Sequence, residues 1–90
     1  MIVLDDDLAK ELGIGISEGL LVDAVGENSA AQYSGIRPND VLVEVDGKKL
    51  KTFDDLKQKI DFAKVGDSLQ MKVYRNGKYT DIPVRLKKGL

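Results

Sequence analysis

The 90-residue chain contains neither cysteine nor histidine. The absence of cysteine excludes disulfides, thiol catalysis and thiolate zinc sites. The absence of histidine removes the commonest general base and metal ligand at neutral pH, and with it any Ser-His-Asp arrangement. Carboxylates and lysines remain available for chemistry, but a small independent enzyme is the least favoured class of function.

The chain also lacks an excess of charge of either sign, with 14 basic and 15 acidic side chains and a net charge of -1. This balance provides neither a basic field for nucleic acid nor a polybasic face for anionic lipid. No apolar run approaches the roughly 20 residues that span a bilayer. We therefore expect neither nucleic-acid binding nor membrane insertion by this chain.

Length and hydrophobic content indicate one small folded domain over residues 1–90. The chain has 90 residues, of which 42% are hydrophobic. That length is typical of one domain rather than two, and the hydrophobic fraction is enough to bury a small core.

The first helix and its glycine-rich end allow two interpretations. Asp5 to Leu12 predicts a helix, because acidic residues suit its first turn and Leu8 and Leu12 share one face. Gly13 then stands where a left-handed cap is needed. Alternatively, Leu12-Gly13-Ile14-Gly15 forms a loop of bare backbone amides that holds an anion. The helix signals favour the cap, and they predict a positive φ at Gly13.

The middle of the chain contains further local signals for strands, turns and a helix. Gly19 to Val25 predicts a mostly buried strand, and Val41 to Val45 predicts another, followed by the hairpin dipeptide Asp46-Gly47. Between the two strands, Ser29 and Gln32 have the spacing of a capping box, and Gly35 is placed to end that short helix.

The last 40 residues or so contain signals for one more helix and for a second hairpin. Thr52, with Asp55 three residues later, predicts the start of a helix that runs to about Phe62. Two alternating segments then flank Asn76-Gly77, a strong hairpin signal. Pro83 lies inside the second segment, so its missing amide should face away from the ladder, at an edge or an irregularity.

Together these elements predict an α+β fold with five or six short strands, mostly antiparallel, and two or three short helices. A sheet of this kind must curl into a partly open barrel to bury both hairpins over one core. The helices are then expected to cap the openings of the barrel.

Two chemical motifs are weaker than their structural alternatives. Asp5-Asp6-Asp7 lacks the spaced oxygens and the glycine of a calcium loop, and is better explained as the start of a helix. Ser29 and Lys59 could form a Ser-Lys pair, but Ser29 is better used as a cap. We therefore predict no catalytic residue, no metal and no cofactor.

The order of motifs resembles the bacterial type of PDZ domain, over nearly the whole chain. The matching segments are Gly19-Leu-Leu-Val, Glu27-Asn-Ser-Ala-Ala, Ser34-Gly-Ile-Arg-Pro-Asn-Asp-Val-Leu-Val-Glu-Val-Asp-Gly47, Phe53-Asp-Asp-Leu-Lys-Gln-Lys-Ile60, Val65-Gly-Asp and Tyr74-Arg-Asn-Gly-Lys78. The preceding Asp7-Leu-Ala-Lys-Glu-Leu-Gly13 is most similar to the PDZ domains of HtrA/Deg serine proteases. Site-2 proteases and carboxy-terminal processing proteases carry similar modules.

The sequence departs from this family in two places. The usual Gly-Ser-Pro-Ala is Glu27-Asn-Ser-Ala here, so a proline is absent while the capping serine is kept. HtrA-type domains also carry a loop just upstream of the first strand that offers backbone amides to a peptide carboxylate. The chain begins at Met1, about where that loop would already have ended, so we expect an excised segment that lacks the loop.

The resemblance implies a peptide-binding module within a larger protein. An extended peptide or unfolded segment with a hydrophobic carboxyl end would add to the edge of the strand that ends at Val3. The predicted peptide-binding residues are Met1, Ile2, Val3, Phe53, Leu56, Lys57 and Ile60. Within the helix, Phe53 and Ile60 are expected to line an apolar pocket, Leu56 to pack mainly inward, and Lys57 to lie on the rim.

The resemblance also implies what surrounds the module. The parent protein would be a serine protease of the periplasm or cell envelope, and a homo-oligomeric parent is compatible with the family. The alternative functions are a PDZ module of a site-2 or carboxy-terminal processing protease, and a structural or assembly domain without a free groove.

We predict that Ser29→Ala lowers the free energy of unfolding by about 0.5–2 kcal/mol, because it removes a helix cap. Thermal melting of the variant and the parent chain measures the difference. An unchanged melting curve would show that the capping box is not formed. Complete loss of peptide binding in a folded variant would instead place Ser29 at the binding site.

Overall fold

A computed structural model describes residues 1–27, 30–64 and 66–85. Within these ranges the chain forms six strands and three helices. The strands are β1 (Ile2–Val3), β2 (Leu20–Leu21), β3 (Val41–Val45), β4 (Lys48–Lys49), β5 (Ser68–Arg75) and β6 (Lys78–Arg85). The helices are α1 (Asp6–Leu12), α2 (Ala30–Ser34) and α3 (Phe53–Phe62). The predicted α+β class is confirmed.

All strand pairs form one antiparallel sheet in the order β1-β2-β3-β5-β6, with β4 paired to β3 on the side. β1 and β6 are therefore the two ends of the strand order, and Pro83 lies on an edge strand as predicted. The register between β3 and β5 shifts between Leu42 and Glu44. A bulge of this kind bends a strand, and curvature lets a short sheet wrap around its core.

Apolar side chains are buried on both faces of the sheet. One face carries the main core, in which strand residues such as Leu20 and Val73 pack with Leu56 of α3. The other face carries a smaller cluster, in which Leu21 packs with Ala9 of α1. Because successive strand residues point to opposite faces, burial of both Leu20 and Leu21 requires this two-sided cover.

The cap interpretation of the glycine-rich segment is confirmed. An Asp5 side-chain oxygen accepts the Leu8 amide at 2.8 Å and so caps the start of α1. At the other end Gly13 has φ 69°, and the Gly13 and Ile14 amides donate to the Lys10 and Ala9 carbonyls at 3.2 and 2.9 Å. This is the Schellman pattern of a helix end. The amides of Gly13 and Ile14 are therefore engaged within the chain, which rules out their use in an anion loop.

The other local signals also correspond to observed turns and caps. Both hairpin dipeptides have positive φ at each residue, with 50° and 84° at Asp46 and Gly47 and 51° and 80° at Asn76 and Gly77. These values are typical of the two-residue turn that matches strand twist. At the start of α3 an Asp55 side-chain oxygen accepts the Thr52 amide at 3.1 Å.

The strand predicted from Gly19 to Val25 is shorter in the structure, where β2 contains only Leu20–Leu21. Beyond it, the Val22 amide donates to the Asp40 carbonyl and the Val22 carbonyl accepts the Asn39 amide, both at 2.8 Å. Val22 is thus bonded to a turn rather than to a strand, and the chain then leaves the sheet. The predicted cap at Ser29 lies outside the described residues.

The only described buried charged residue is Asp40, whose side chain is hydrogen-bonded to two segments of the chain. Its carboxylate accepts the Arg37 amide at 2.8 Å and two bonds from Arg75, at 2.8 Å from Nε and 2.6 Å from Nη2. Arg75 Nη2 also donates to the Gly35 carbonyl at 2.8 Å. This pair joins the end of β5 to the turn that connects α2 with β3.

The ionisation of Asp40 is set by two opposed effects. Burial disfavours the charged form and is the largest single influence, but the hydrogen bonds from Arg75 and from the Arg37 amide outweigh it together. The pKa of Asp40 is therefore held below its ordinary value of 3.8. A carboxylate with a lowered pKa contributes stability above its unfolded-state pKa, and that contribution is lost as the pH falls through the folded-state pKa.

We predict that Asp40→Asn lowers the free energy of unfolding at neutral pH by about 1.5–3 kcal/mol, because it weakens hydrogen bonds to a charged group. The matched control is Glu44→Gln, which weakens the more exposed Glu44–Lys72 pair, 3.2 Å apart, and should cost less than about 1 kcal/mol. Urea unfolding is measured at neutral pH and at about pH 3. The Asp40→Asn deficit should shrink in acid, and a deficit independent of pH would contradict the assignment.

Two glycines with positive φ allow a further comparison. At Gly13 an added Cβ would meet no atom within 4 Å, whereas at Gly19, with φ 139°, it would lie 2.6 Å from Val41 Cγ1 and 2.9 Å from the Leu42 carbonyl oxygen. We predict that Gly13→Ala costs about 1 kcal/mol from backbone strain alone. Gly19→Ala should cost more, because the backbone of β3 must also shift. Equal midpoints in urea for the two variants would contradict this ranking.

Candidate functional site

The β1 strand has one backbone edge with which no other described strand pairs. It pairs with β2 on one side, with Ile2 opposite Leu21 and Val3 opposite Leu20, and it is the terminal strand of the sheet. The Leu4 amide donates to the Gly19 carbonyl at 2.9 Å, so Leu4 faces β2. Because backbone groups alternate in direction along an antiparallel strand, the N–H and C=O of Val3 point away from the sheet.

An apolar cavity of about 190 Å³ lies beside this edge. One wall is Met1, which leads into β1, and another is α3 through Leu56 and Ile60. The remaining lining residues are Val22, Ala24, Val25, Gly26, Ala31, Ile36, Leu42, Leu69, Met71 and Val84. None of these lining residues carries a polar or charged side chain, so the cavity suits a hydrophobic group and disfavours an ion.

The seven predicted site residues divide into three groups. Met1, Leu56 and Ile60 contribute to the cavity, and Ile2 and Val3 form its neighbouring edge strand. Leu56 is also buried in the core, as expected.

Phe53 and Lys57 are not among the residues that line the cavity. Phe53 therefore does not share this cavity with Ile60, and its contact with a peptide stays a prediction. Residues 53 and 60 lie on one side of the helix, but seven residues separate them by about 10 Å along the axis. The cavity contacts the later part of α3, which leaves Phe53 at the far end, 47% exposed. Lys57 is exposed, as expected for a residue on the rim.

The sequence prediction missed the residues around α2 and after β2. Ala31 lies within α2 and Ile36 follows its end, and the Ile36 amide donates to the Ala31 carbonyl at 3.1 Å, which folds Ile36 back over the helix end. Both line the cavity. An apolar residue directly after Gly35 is typical of a helix-closing contact, so Ile36 carried a local signal and Ala31 did not. Their position opposite α3 depends on the tertiary fold.

The Asp40 and Arg75 pair holds this part of the cavity in place. Ile36 directly follows Gly35, whose carbonyl accepts from Arg75, and Val22 is bonded through its backbone to Asp40. Two walls of the cavity are therefore fixed by the same ion pair, in which Asp40 is buried and Arg75 is partly exposed.

A larger concavity of about 460 Å³ lies elsewhere, with Ile16, Val43 and Tyr79 among its lining residues. It also contains Glu18, Glu44, Lys49 and Lys72. Glu44 and Lys72 are paired with each other at 3.2 Å, so these charges are partly satisfied within the chain. We favour the smaller cavity because its lining side chains are all apolar and it adjoins the terminal strand of the sheet.

The described residues contain no group of three or more acidic side chains placed to hold a metal ion. Their longest helix, α3, has ten residues, and none of their helices is long and apolar enough to cross a membrane.

Comparison with known sequences gives relatives that include HtrA/Do-type serine proteases. A Haemophilus influenzae protein named probable periplasmic serine protease do/HhoA-like is 29% identical over 83 residues, which are 92% of this chain and 18% of that protein. A Staphylococcus aureus serine protease HtrA-like is 40% identical over 75 residues, which are 80% of this chain and 10% of that protein. The chain thus spans less than a fifth of the length of these relatives.

Solved structures agree with this fold. The HtrA3 PDZ domain bound to a phage-derived ligand aligns with a TM-score of 0.80 at 24% identity, over 93% of this chain and 76% of that one. The HtrA-type protease AlgW with a decapeptide aligns with a TM-score of 0.80 at 21% identity, over 97% of this chain and 28% of that one. At these identities the structures establish the fold alone.

The family model described as PDZ domain matches residues 3–86, which include both the β1 edge and α3. This match covers most of the 90 residues, and the sequence relatives are HtrA/Do-type serine proteases. The chain therefore belongs to the PDZ domain family.

Proposed function

We propose that this chain captures an extended peptide by adding it as a strand to the β1 edge, with one hydrophobic peptide side chain in the apolar cavity. The observation that supports this most directly is that Met1 belongs to both features. It lines the cavity and leads into the strand whose outer edge is unpaired. A peptide on that edge therefore has a hydrophobic cavity within reach.

The backbone of β1 would supply the affinity common to different peptides. Val3 presents an N–H donor and a C=O acceptor to the outside of the sheet, and an added strand can pair with both. The peptide side chains then alternate between the cavity side and solvent. Selectivity would come from the side chain that points between β1 and α3.

The cavity would favour a hydrophobic side chain at that position. Its apolar lining leaves a charged group without partners, and burial of a charge under those conditions is costly. Burial of apolar surface is favourable by roughly 25 cal/mol per Å². A hydrophobic carboxyl-terminal residue, or an exposed hydrophobic residue of an unfolded segment, fits both requirements.

Ligands of the structural neighbours support a peptide rather than a small metabolite. The HtrA3 domain was solved with the phage-derived ligand FGRWV, and AlgW was solved with a decapeptide. These ligands concern those proteins. Both ligands are peptides, as in our proposal, and FGRWV also ends in a hydrophobic residue.

We further propose that the parent protein is a serine protease of the cell envelope and that this module recruits its substrates or relays their binding. The named relatives are HtrA/Do-type serine proteases, and the Haemophilus influenzae relative is named periplasmic. Because this chain spans only 10–18% of those relatives, the proposed catalysis would belong to other parts of the parent.

We predict that Ile60→Asp weakens binding of the peptide FGRWV by about tenfold or more, because it places a carboxylate against the apolar cavity. The matched control is Phe62→Asp, which makes a similar change on the same helix at a residue that is 87% exposed and outside the cavity lining. Lys57→Ala, on the rim, should change affinity by less than Ile60→Asp. Isothermal titration at a temperature where urea unfolding shows every variant to be folded measures the effect.

The same titrations with FGRWV amidated at its carboxyl end test recognition of the carboxylate. Weaker binding of the amidated peptide would show that the chain recognises the terminal carboxylate. Equal binding would indicate capture of internal segments. If neither peptide binds the wild-type chain, or if Ile60→Asp and Phe62→Asp behave alike, the proposed groove is wrong. A structural or assembly role would then be favoured.

A further inference from the structure

The other end of the strand order, β6, is much longer than β1. It has eight residues, and all except Ile82 and Val84 are exposed. Unpaired strand edges attract other strands, and long ones do so most strongly. A module that accepts a strand at β1 needs some feature that prevents the same reaction at β6.

The hydrogen-bond pattern identifies which β6 residues face outward. Gln70 is paired with Pro83, yet the Gln70 amide and carbonyl are both bonded to Asp46, on the side of β5 away from β6. In an antiparallel pair the two opposed residues either both bond to each other or both point away. Pro83 therefore points its nitrogen to the outside, together with the alternate residues Tyr79, Asp81 and Arg85.

Proline interrupts this outer row of donors. Tyr79, Asp81 and Arg85 present amides to an incoming strand, but Pro83 between them has none, and its ring occupies the place of the hydrogen. No hydrogen bond from the outward amides at 79, 81 and 85 to another described residue is observed. Among the described residues no strand pairs with this outer row, although α2 lies close to β6, so the interruption falls in a row without a strand partner there.

We propose that Pro83 closes the β6 edge and thereby confines strand addition to the β1 edge. The partner that it excludes is a second copy of this chain, because two β6 strands can pair with each other. If the symmetry axis passes through Ile82, Asp81 faces Pro83 of the second copy and Tyr79 faces Arg85 of the second copy. In that register each proline removes one hydrogen bond, so two are lost per dimer.

The confinement of strand addition to β1 rests on the proposed function, whereas closure of the β6 edge does not, and the test of that closure measures self-association alone. Pro83→Val supplies the missing amide with a side chain that favours strands, and Pro83→Thr does so with a more polar one. We expect both variants to self-associate with a dimer dissociation constant at least about tenfold lower than that of the wild-type chain. Sedimentation velocity over a concentration series measures this change.

Two further variants separate the edge amide from other causes. Thr80→Val makes β6 more apolar, but Thr80 bonds toward β5, so it should sediment as the wild-type chain does. Pro83→Val combined with Asp81→Pro moves the proline by two residues to another outward position. This double variant should recover the sedimentation of the wild-type chain, because a donor is again missing from the outer row.

Three results would overturn the proposal. The first is unchanged sedimentation of Pro83→Val and Pro83→Thr, with circular dichroism showing that both variants are folded. The second is Thr80→Val association as strong as that of Pro83→Val, which would assign the effect to hydrophobicity. The third is a double variant that self-associates as strongly as Pro83→Val.

Discussion

The ion pair of the buried Asp40 with the partly exposed Arg75 is the interaction on which the arrangement of this domain depends most. The Asp40 carboxylate accepts from Arg75 and from the Arg37 amide, while its backbone carbonyl accepts the Val22 amide. One residue thus joins three segments that are distant in sequence. A buried carboxylate is costly unless it is paired and hydrogen-bonded. Separation of these segments would remove the partners of the Asp40 carboxylate and would therefore be strongly destabilising. Val22 and Ile36, which this network positions, are walls of the apolar cavity.

The β1 strand is held by different means, because only two of its residues pair with β2. Leu4 follows it directly and is buried on the opposite face of the sheet with Ala9 of α1. The helix therefore anchors the strand from behind and leaves its outer edge unpaired. Burial of Leu4 and Ala9 provides stability that two residue pairs alone cannot provide, since a short isolated strand pair is marginal in water.

Local signals in the sequence predicted most elements of the fold, and tertiary contacts explain the failures. Gly13 and Asn76-Gly77 act within a few residues of themselves, so their conformations could be predicted without knowledge of the rest. The Gly19–Val25 segment was predicted too long because an apolar run does not show where its partners end. In the structure Val22 bonds to a turn instead. Phe53 was expected in the groove because the resembling family places this helix beside the ligand, and that resemblance does not fix which turn of the helix lines the cavity. Arg75 and Asp40 lie 35 residues apart, and nothing local indicates that they pair.

The two edges of the sheet differ in a way that composition alone would not suggest. β6 offers eight residues to an incoming strand and β1 offers two. Because each added backbone bond contributes about 0.5–1.5 kcal/mol net, the longer edge would be the stronger site if both rows were complete. If strand addition occurs at β1 as proposed, a favourable feature at β1 and an unfavourable one at β6 would both increase the preference for β1. The apolar cavity would provide the first, and the missing amide of Pro83 would provide the second. Specificity for one edge would then be a difference between two affinities, set by residues at opposite ends of one sheet.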